Sequence, residues 1–169
     1  NEDPYDQETW ETLTRLARVQ DRWERLADIF AEALEKIDVD GPETAELSSL
    51  AGHYYLDRVN APAKAAPLLK RALDFDPSNR DVFESLERTL KELEDWAELV
   101  ELYRAGADNA ETEDERVEIL RRAAIIEEVK RADVEAALAF YRSALESDPS
   151  YRPALDAVEK LLRQTKRYE

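Results

Sequence analysis

The dipeptide Asp-Pro recurs at Asp3-Pro4, Asp76-Pro77 and Asp148-Pro149, 73 and then 72 residues apart, and each copy opens a segment of the same pattern. Six residues beyond the proline stands a large apolar residue (Trp10, Phe83, Leu155), nine beyond it another (Leu13, Leu86, Val158), and nineteen beyond it an aromatic one (Trp23, Trp96, Tyr168). A period of this kind marks a chain of stacked supersecondary units, none of which can bury its apolar face alone. The second half of each long period repeats as well. Ala65, Leu69, Ala72, Leu73 and Asp76 return as Ala137, Tyr141, Ala144, Leu145 and Asp148, a step of 72. Leu47, Leu50 and Ala51 return as Leu120, Ala123 and Ala124, a step of 73, which places the odd residue in the turn near Val59 to Lys64.

Each long period is itself double. Leu26, Phe30, Ala33 and Leu34 follow Trp23, and Leu99, Tyr103, Gly106 and Ala107 follow Trp96, in the i, i+4, i+7, i+8 spacing of Ala65, Leu69, Ala72 and Leu73. That spacing is helical, so the true period is about 34 residues and each unit is a pair of antiparallel helices. With a large apolar residue and Leu on the first helix, Ala/aromatic/Ala-Leu on the second, and Asp-Pro at the end, the chain resembles the tetratricopeptide repeat (TPR) family over essentially its whole length. The strings AAPLLKRALDFDPSN and AALAFYRSALESDPSY carry the resemblance best. It implies an all-α, right-handed superhelical solenoid and a scaffold for protein and peptide recognition.

The expected units are 7–40, 41–79, 80–113 and 114–151, followed by a lone helix over 152–169. Units two and four run to 39 and 38 residues, so their first helices are longer by about one turn, roughly 6–7 Å. The small residue usual after the first-helix Leu reads as Glu87 in unit three and Arg121 in unit four. Helices are expected over 6–19, 21–37, 42–59, 62–75, 79–93, 95–109, 113–131, 133–147 and 151–167. Pro42 and Pro62 suit first-turn positions, Thr112 with Glu115 reads as a capping box, and Asp133 as an N-cap. The expected core is Trp10, Leu13, Trp23, Leu26, Phe30, Leu47, Leu69, Ala72, Phe83, Leu86, Trp96, Leu99, Tyr103, Leu120, Tyr141 and Ala144.

Composition then narrows the function. There is no cysteine, one histidine (His53) and three glycines. These exclude a thiol nucleophile, a multi-histidine metal site and a glycine-rich phosphate loop, so no cofactor and no enzymatic activity are expected. The net charge is −16. A body of that charge repels nucleic-acid phosphates and anionic membranes, and no apolar run approaches the length of a membrane span. The acidic turn Glu111–Glu115 lacks the spacing and glycine of a calcium loop and reads as a helix N-terminus. No signal peptide is visible, which points to the cytoplasm, and the Arg-rich acidic composition to a bacterial source. The last helix ends in the phase in which the array begins, so the chain is expected to be a piece of a longer array.

Against this acidity, cations stand in columns on the first helices. One column holds Arg15, Ser49, Arg88, Arg122 and Lys160, preceded one turn earlier by Glu11, Ala45, Glu84, Glu118 and Asp156. A second, three residues on, holds Arg18, Gly52, Lys91, Ile125 and Arg163. The TPR resemblance implies that such positions face a concave groove. The candidate peptide-binding residues are therefore Arg15, Arg18, Ser49, His53, Tyr54, Arg88, Lys91, Arg122 and Lys160, reading an acidic or C-terminal carboxylate peptide. The competing reading makes each Glu/Asp–Arg/Lys pair an i, i+4 salt bridge worth about 0.2–0.5 kcal/mol. Likewise the His53-Tyr54-Tyr55 cluster either stacks on a peptide or packs the extra turn. Asn falls only at helix margins, at 1, 60, 79 and 109, which argues against a chaperone-tail clamp. The alternatives to a peptide scaffold are a structural array whose apolar ends associate homotypically, and a regulatory segment flanking a catalytic domain outside this chain.

Overall fold

The computed structural model describes residues 7–37 and 41–165. Among these are nine α-helices and no strand: α1 (Gln7–Gln20), α2 (Trp23–Leu34), α3 (Pro42–Tyr54), α4 (Pro62–Phe75), α5 (Arg80–Glu92), α6 (Trp96–Asp108), α7 (Glu113–Val129), α8 (Val134–Ser147) and α9 (Arg152–Gln164). A π-helical turn, Tyr55–Val59, continues α3 to the length expected for it. The helices form two compact units, Asn1–Leu93 with α1 to α5 and Glu94–Glu169 with α6 to α9. The chain is an all-α helical-repeat protein.

The Asp-Pro period has a local cause. Asp76 Oδ1 accepts hydrogen bonds from the Ser78 backbone N–H (3.2 Å) and hydroxyl (2.7 Å), and Asp148 Oδ1 does the same for Ser150 (2.8 and 2.7 Å). The aspartate thus closes the turn that ends one repeat. The Asp3-Pro4 copy, like Tyr168, lies outside the described residues. Asn79 then caps α5 by accepting from Val82 N–H at 3.1 Å, and Asp133 caps α8 by accepting from Ala136 N–H at 2.9 Å. Pro42 and Pro62 stand in the first turns of α3 and α4. Thr112 accepts from Glu115 N–H, but the Glu115 carboxylate reaches the Glu111 N–H, one residue before the cap, rather than that of Thr112 itself.

The turns inside the repeats use a different device. Asp21, Asn60, Glu94 and Ala132 all have φ between 53° and 57°, and each sits two residues before the start of the next helix. No glycine occupies these left-handed positions. Asn and Asp tolerate that conformation; Glu94 and Ala132 carry its steric cost.

Burial corrects the register expected for the long first helices. Leu47, Ala51, Gly52 and Tyr55 are buried, and so are Ile119, Ala123, Ala124 and Glu127, a uniform step of 72 residues. The left-handed Asn60 and Ala132, and the bonds Ala61 N–H to Tyr55 O and Asp133 N–H to Glu127 O, keep the same step. Leu34 and Ala107, both buried, stand 73 apart. The odd residue therefore lies between Leu34 and Leu47, ahead of α3, and not near Val59 to Lys64. Ile119 and Leu120 are adjacent and both buried, so apolar pattern alone cannot choose which of them matches Leu47. In the corrected register Ala124 stands where Gly52 does, while Leu120 stands where Ser48 follows Leu47, so the fourth repeat still lacks a small residue after its first-helix Leu position.

Unit 1 closes around Leu26, Phe30, Leu34, Leu47 and Ala51, with Trp10, Leu13, Trp23 and Tyr54 packed against them. Trp10 meets Phe30 edge to face at 4.5 Å, and Trp23 lies 5.3 Å from Tyr54. In unit 2 Leu99, Tyr103, Leu120, Tyr141 and Ala144 are buried, with Ala123, Ala124, Ala137, Ala154 and Leu161. Of the expected core, Trp10, Leu13, Trp23, Phe83 and Trp96 are half-buried rather than buried. Arginines from neighbouring helices cover carbonyls at helix C-termini that lack a cation of their own. Arg71 of α4 donates to Leu34 O (3.1 Å) at the end of α2, and Arg116 of α7 to Ala107 O (2.9 Å) near the end of α6.

Two substitutions test these features. Ala132→Gly is expected to stabilise unit 2 by about 0.5–1 kcal/mol, because glycine has no steric penalty at positive φ, and a urea melt reads the gain. A Cβ at Gly52 would lie 2.8 Å from Cγ and Cδ2 of the fully buried Leu69. Gly52→Ala is therefore expected to cost about 1–3 kcal/mol by the same measurement.

Candidate functional site

In unit 1 the first helices α1, α3 and α5 line two adjoining depressions. Trp10, Glu11, Thr14, Arg15 and Arg18 of α1 face Glu43, Glu46, Leu47 and Leu50 of α3 across a groove of about 630 Å³. On the other side of α3, Ala45, Glu46, Ser49, Leu50 and His53 face Phe75, Asp76, Asn79 and Asp81 across one of about 440 Å³. Glu46 and Leu50 belong to both, so the two are one groove with α3 as its middle ridge. Its apolar floor includes Leu50 and Phe75, 37% and 43% exposed. The i, i+3 and i, i+4 spacing of Trp10, Thr14, Arg15 and Arg18, and of Glu43, Glu46, Leu47 and Leu50, puts each set on one helix face.

The candidate residues divide. Arg15 and Arg18 line the α1–α3 stretch, are exposed, and make no ion pair with any described residue. Ser49 and His53 line the α3–α5 stretch. Tyr54 turns the other way and packs against Trp23 and Phe30, so the His53-Tyr54-Tyr55 run does not act as one cluster. Tyr55 is buried and donates its hydroxyl to Asp28 at 2.5 Å, which holds the Asp28 carboxyl below its ordinary range. Burial, then Asp28 itself, pushes the Tyr55 hydroxyl up.

The remaining cations are engaged. The expected i, i+4 pair forms at Glu118–Arg122, 3.5 Å. Arg88 reaches instead to Asp57 in the π turn (3.3 Å), and Lys160, 72 residues further on, to Glu128 near the end of α7 (2.8 Å). Both therefore tie a first helix to the lengthened end of the preceding first helix. Lys91 pairs with Glu87 at 2.7 Å. In unit 2, Glu118 takes two bonds from Arg121 (2.9 and 2.7 Å) and one from the Tyr151 hydroxyl (3.1 Å). Arg121 first, then Tyr151 and Arg122, hold the Glu118 carboxyl down to about 2. Burial and then Glu128, which accepts from Tyr141 at 3.3 Å, push the Tyr141 hydroxyl up to about 12.

A serine, a histidine and an aspartate meet at His53, but not as a nucleophilic triad. Ser85 Oγ (3.0 Å) and Asp81 Oδ2 (3.4 Å) both face Nε2, while Nδ1 faces the Ser49 carbonyl oxygen at 2.7 Å. A triad needs the carboxylate on the nitrogen opposite the serine, and Ser85 is buried besides. Among the described residues no group of three or more His, Cys, Asp or Glu is placed to hold a metal ion, and no helix is long and apolar enough to cross a membrane.

With that geometry in hand, solved structures supply the comparison. The chain is similar to the crystal structure of MamA protein, at 11% identity over 94% of this chain and 82% of that one, with a TM-score of 0.51. It is also similar to YrrB, described as a TPR protein with an unusual peptide-binding site, at 16% identity over 93% of this chain and 76% of that one, with a TM-score of 0.50. No protein-family model matches the sequence, and no curated protein matches it significantly. At these identities the likeness is one of fold: this is a TPR-like helical-repeat chain.

The Glu118 network makes a pH prediction. A carboxyl depressed in the folded state contributes stability that is complete above the ordinary value of 4.5 and is lost as pH falls toward about 2. Urea midpoints should fall between pH of about 5 and 2.5, and fall less in Glu118→Gln.

Proposed function

We propose that the chain is a non-catalytic protein-interaction scaffold whose unit 1 groove binds a partner peptide or helix. The observation that carries this is the pairing of an exposed apolar floor, Leu50 and Phe75, with two arginines that have no ion pair among the described residues. In a chain of net charge −16, Arg15 and Arg18 are cations left open to a ligand, and they favour an acidic peptide over a basic one. Glu11, Glu43 and Glu46 beside them accept from donors, so the preferred peptide carries one acidic residue at the arginines, donors toward the glutamates and an apolar residue over Leu50. Arg88, Lys91, Arg122 and Lys160, each engaged by a carboxylate, order their repeats, and Ser49 and His53 contribute polar groups at the α3–α5 end. On this reading the repeats are 7–40, 41–79, 80–113 and 114–151 with a lone helix over 152–169, in a bacterial, cytoplasmic protein.

A second reading has its own observation. Leu16 and Val19, 46% and 79% exposed, leave another face of α1 apolar, which supports homotypic contact. Sedimentation separates the two: a monomer at all concentrations leaves only the peptide scaffold, and concentration-dependent association abolished by Val19→Lys favours the array.

For the groove itself, a displayed random-peptide library should enrich sequences with Asp or Glu near a large apolar residue. Labelled peptides from that selection should bind the Arg15→Glu/Arg18→Glu variant and Leu50→Asp at least about tenfold more weakly, a difference near 1.4 kcal/mol. Arg88→Glu should change affinity less. Binding that survives all three variants unchanged would sink the groove reading.

A further inference from the structure

The α3–α5 end of the groove is organised by one imidazole, the chain's only histidine. His53 Nδ1 lies 2.7 Å from the Ser49 carbonyl oxygen, which can only accept, and 3.4 Å from the Ser49 hydroxyl; the shorter contact favours a hydrogen on Nδ1 in both protonation states. In the neutral ring Nε2 then bears a lone pair and accepts the hydroxyl hydrogen of Ser85 on α5, 3.0 Å away. That lone pair also faces Asp81 Oδ2, one turn earlier on α5, at 3.4 Å, and two acceptors gain nothing from each other. Once Nε2 takes a proton the preference reverses. The N–H donates to the Asp81 carboxylate in a charge-assisted bond, and the Ser85 hydroxyl loses its acceptor.

The surroundings make the exchange matter. The charged groups lining this stretch are Glu46 from α3, Asp76 from the turn after α4, and Asp81 from α5, all carboxylates. Arg88, further along α5, is held by Asp57.

We propose that His53 is a proton-operated selector in the groove. Neutral, it ties α3 to α5 through Ser85 and leaves three carboxylates facing a ligand. Protonated, it draws Asp81 into an ion pair and makes this end less hostile to acidic peptides. The consequence for ligands rests on the groove reading above; the exchange of hydrogen-bond partners does not, and occurs in the free protein. Asp81 is exposed, so its attraction is screened and the effect on affinity is modest, about two- to fivefold.

Nitrogen-15 NMR of the single imidazole tests the exchange directly. At pH of about 8 the ring should be the tautomer with hydrogen on Nδ1 and none on Nε2. On acidification the Asp81 and Ser85 amide resonances should move with the same midpoint as the ring, and the Asp81 response should shrink in Asp81→Asn. A ring carrying its hydrogen on Nε2, or α5 amides that ignore the imidazole's midpoint, overturns the proposal. A library-selected acidic peptide should bind about two- to fivefold tighter at pH near 5.5 than near 8, and His53→Gln should abolish the difference. A bound peptide whose pH dependence is the same in His53→Gln overturns the selector. Exchange observed in the ring while no selected peptide binds overturns the groove reading and upholds the exchange.

Discussion

Close approach of helices through small side chains is the constraint on which both units depend. Ala27, Ala51, Ala65, Ala123, Ala124, Ala137 and Ala144 are fully buried, and Gly52 leaves no room for a Cβ against Leu69. Helices brought this near bury their larger residues, such as Phe30, Leu69, Leu99 and Tyr141, between them. The apolar stripe of each helix is consumed in this packing, so the exposed faces are free to be charged. A protein with 40 acidic residues can therefore still possess a dense core.

The charges that remain orient as much as they stabilise. Arg88–Asp57 and Lys160–Glu128 recur at equivalent cations and both use the extra length of the preceding first helix. Exposed pairs of this kind contribute little each. What they do here is engage cations of the basic column, so the column is not a uniform ladder. Arg15 and Arg18 stand apart for that reason, and they do so beside the part of the groove with Trp10, Leu47 and Leu50.

Much of the fold is legible without coordinates. Helix positions, the Asp-Pro turns and caps such as Asp133 follow from local hydrogen bonding and from periodicity, which act over a few residues. The register of the long helices is not legible, because adjacent Ile119 and Leu120 satisfy the apolar pattern equally well and only three-dimensional packing distinguishes them. The large aromatics Trp10, Trp23 and Trp96 are read as core but lie half-buried at its edges, where Trp23 and Trp96 carry Arg58 and Lys130 over their rings at 5.0 and 4.5 Å.

The sequence by itself determined a chain of helical hairpins, closed by Asp-Pro-Ser turns and rich enough in buried alanine to stack. Only the tertiary structure decided which ionisable side chains are open. Whether Arg88 meets Glu84 one turn away or Asp57 on another helix depends on distances that helix packing sets, not on spacing along the chain. The same holds for His53, whose neighbours Ser85 and Asp81 lie on a different helix. Local rules specify helices and turns because their hydrogen bonds span a few residues; charge and groove chemistry depend on contacts between residues about 30 positions apart.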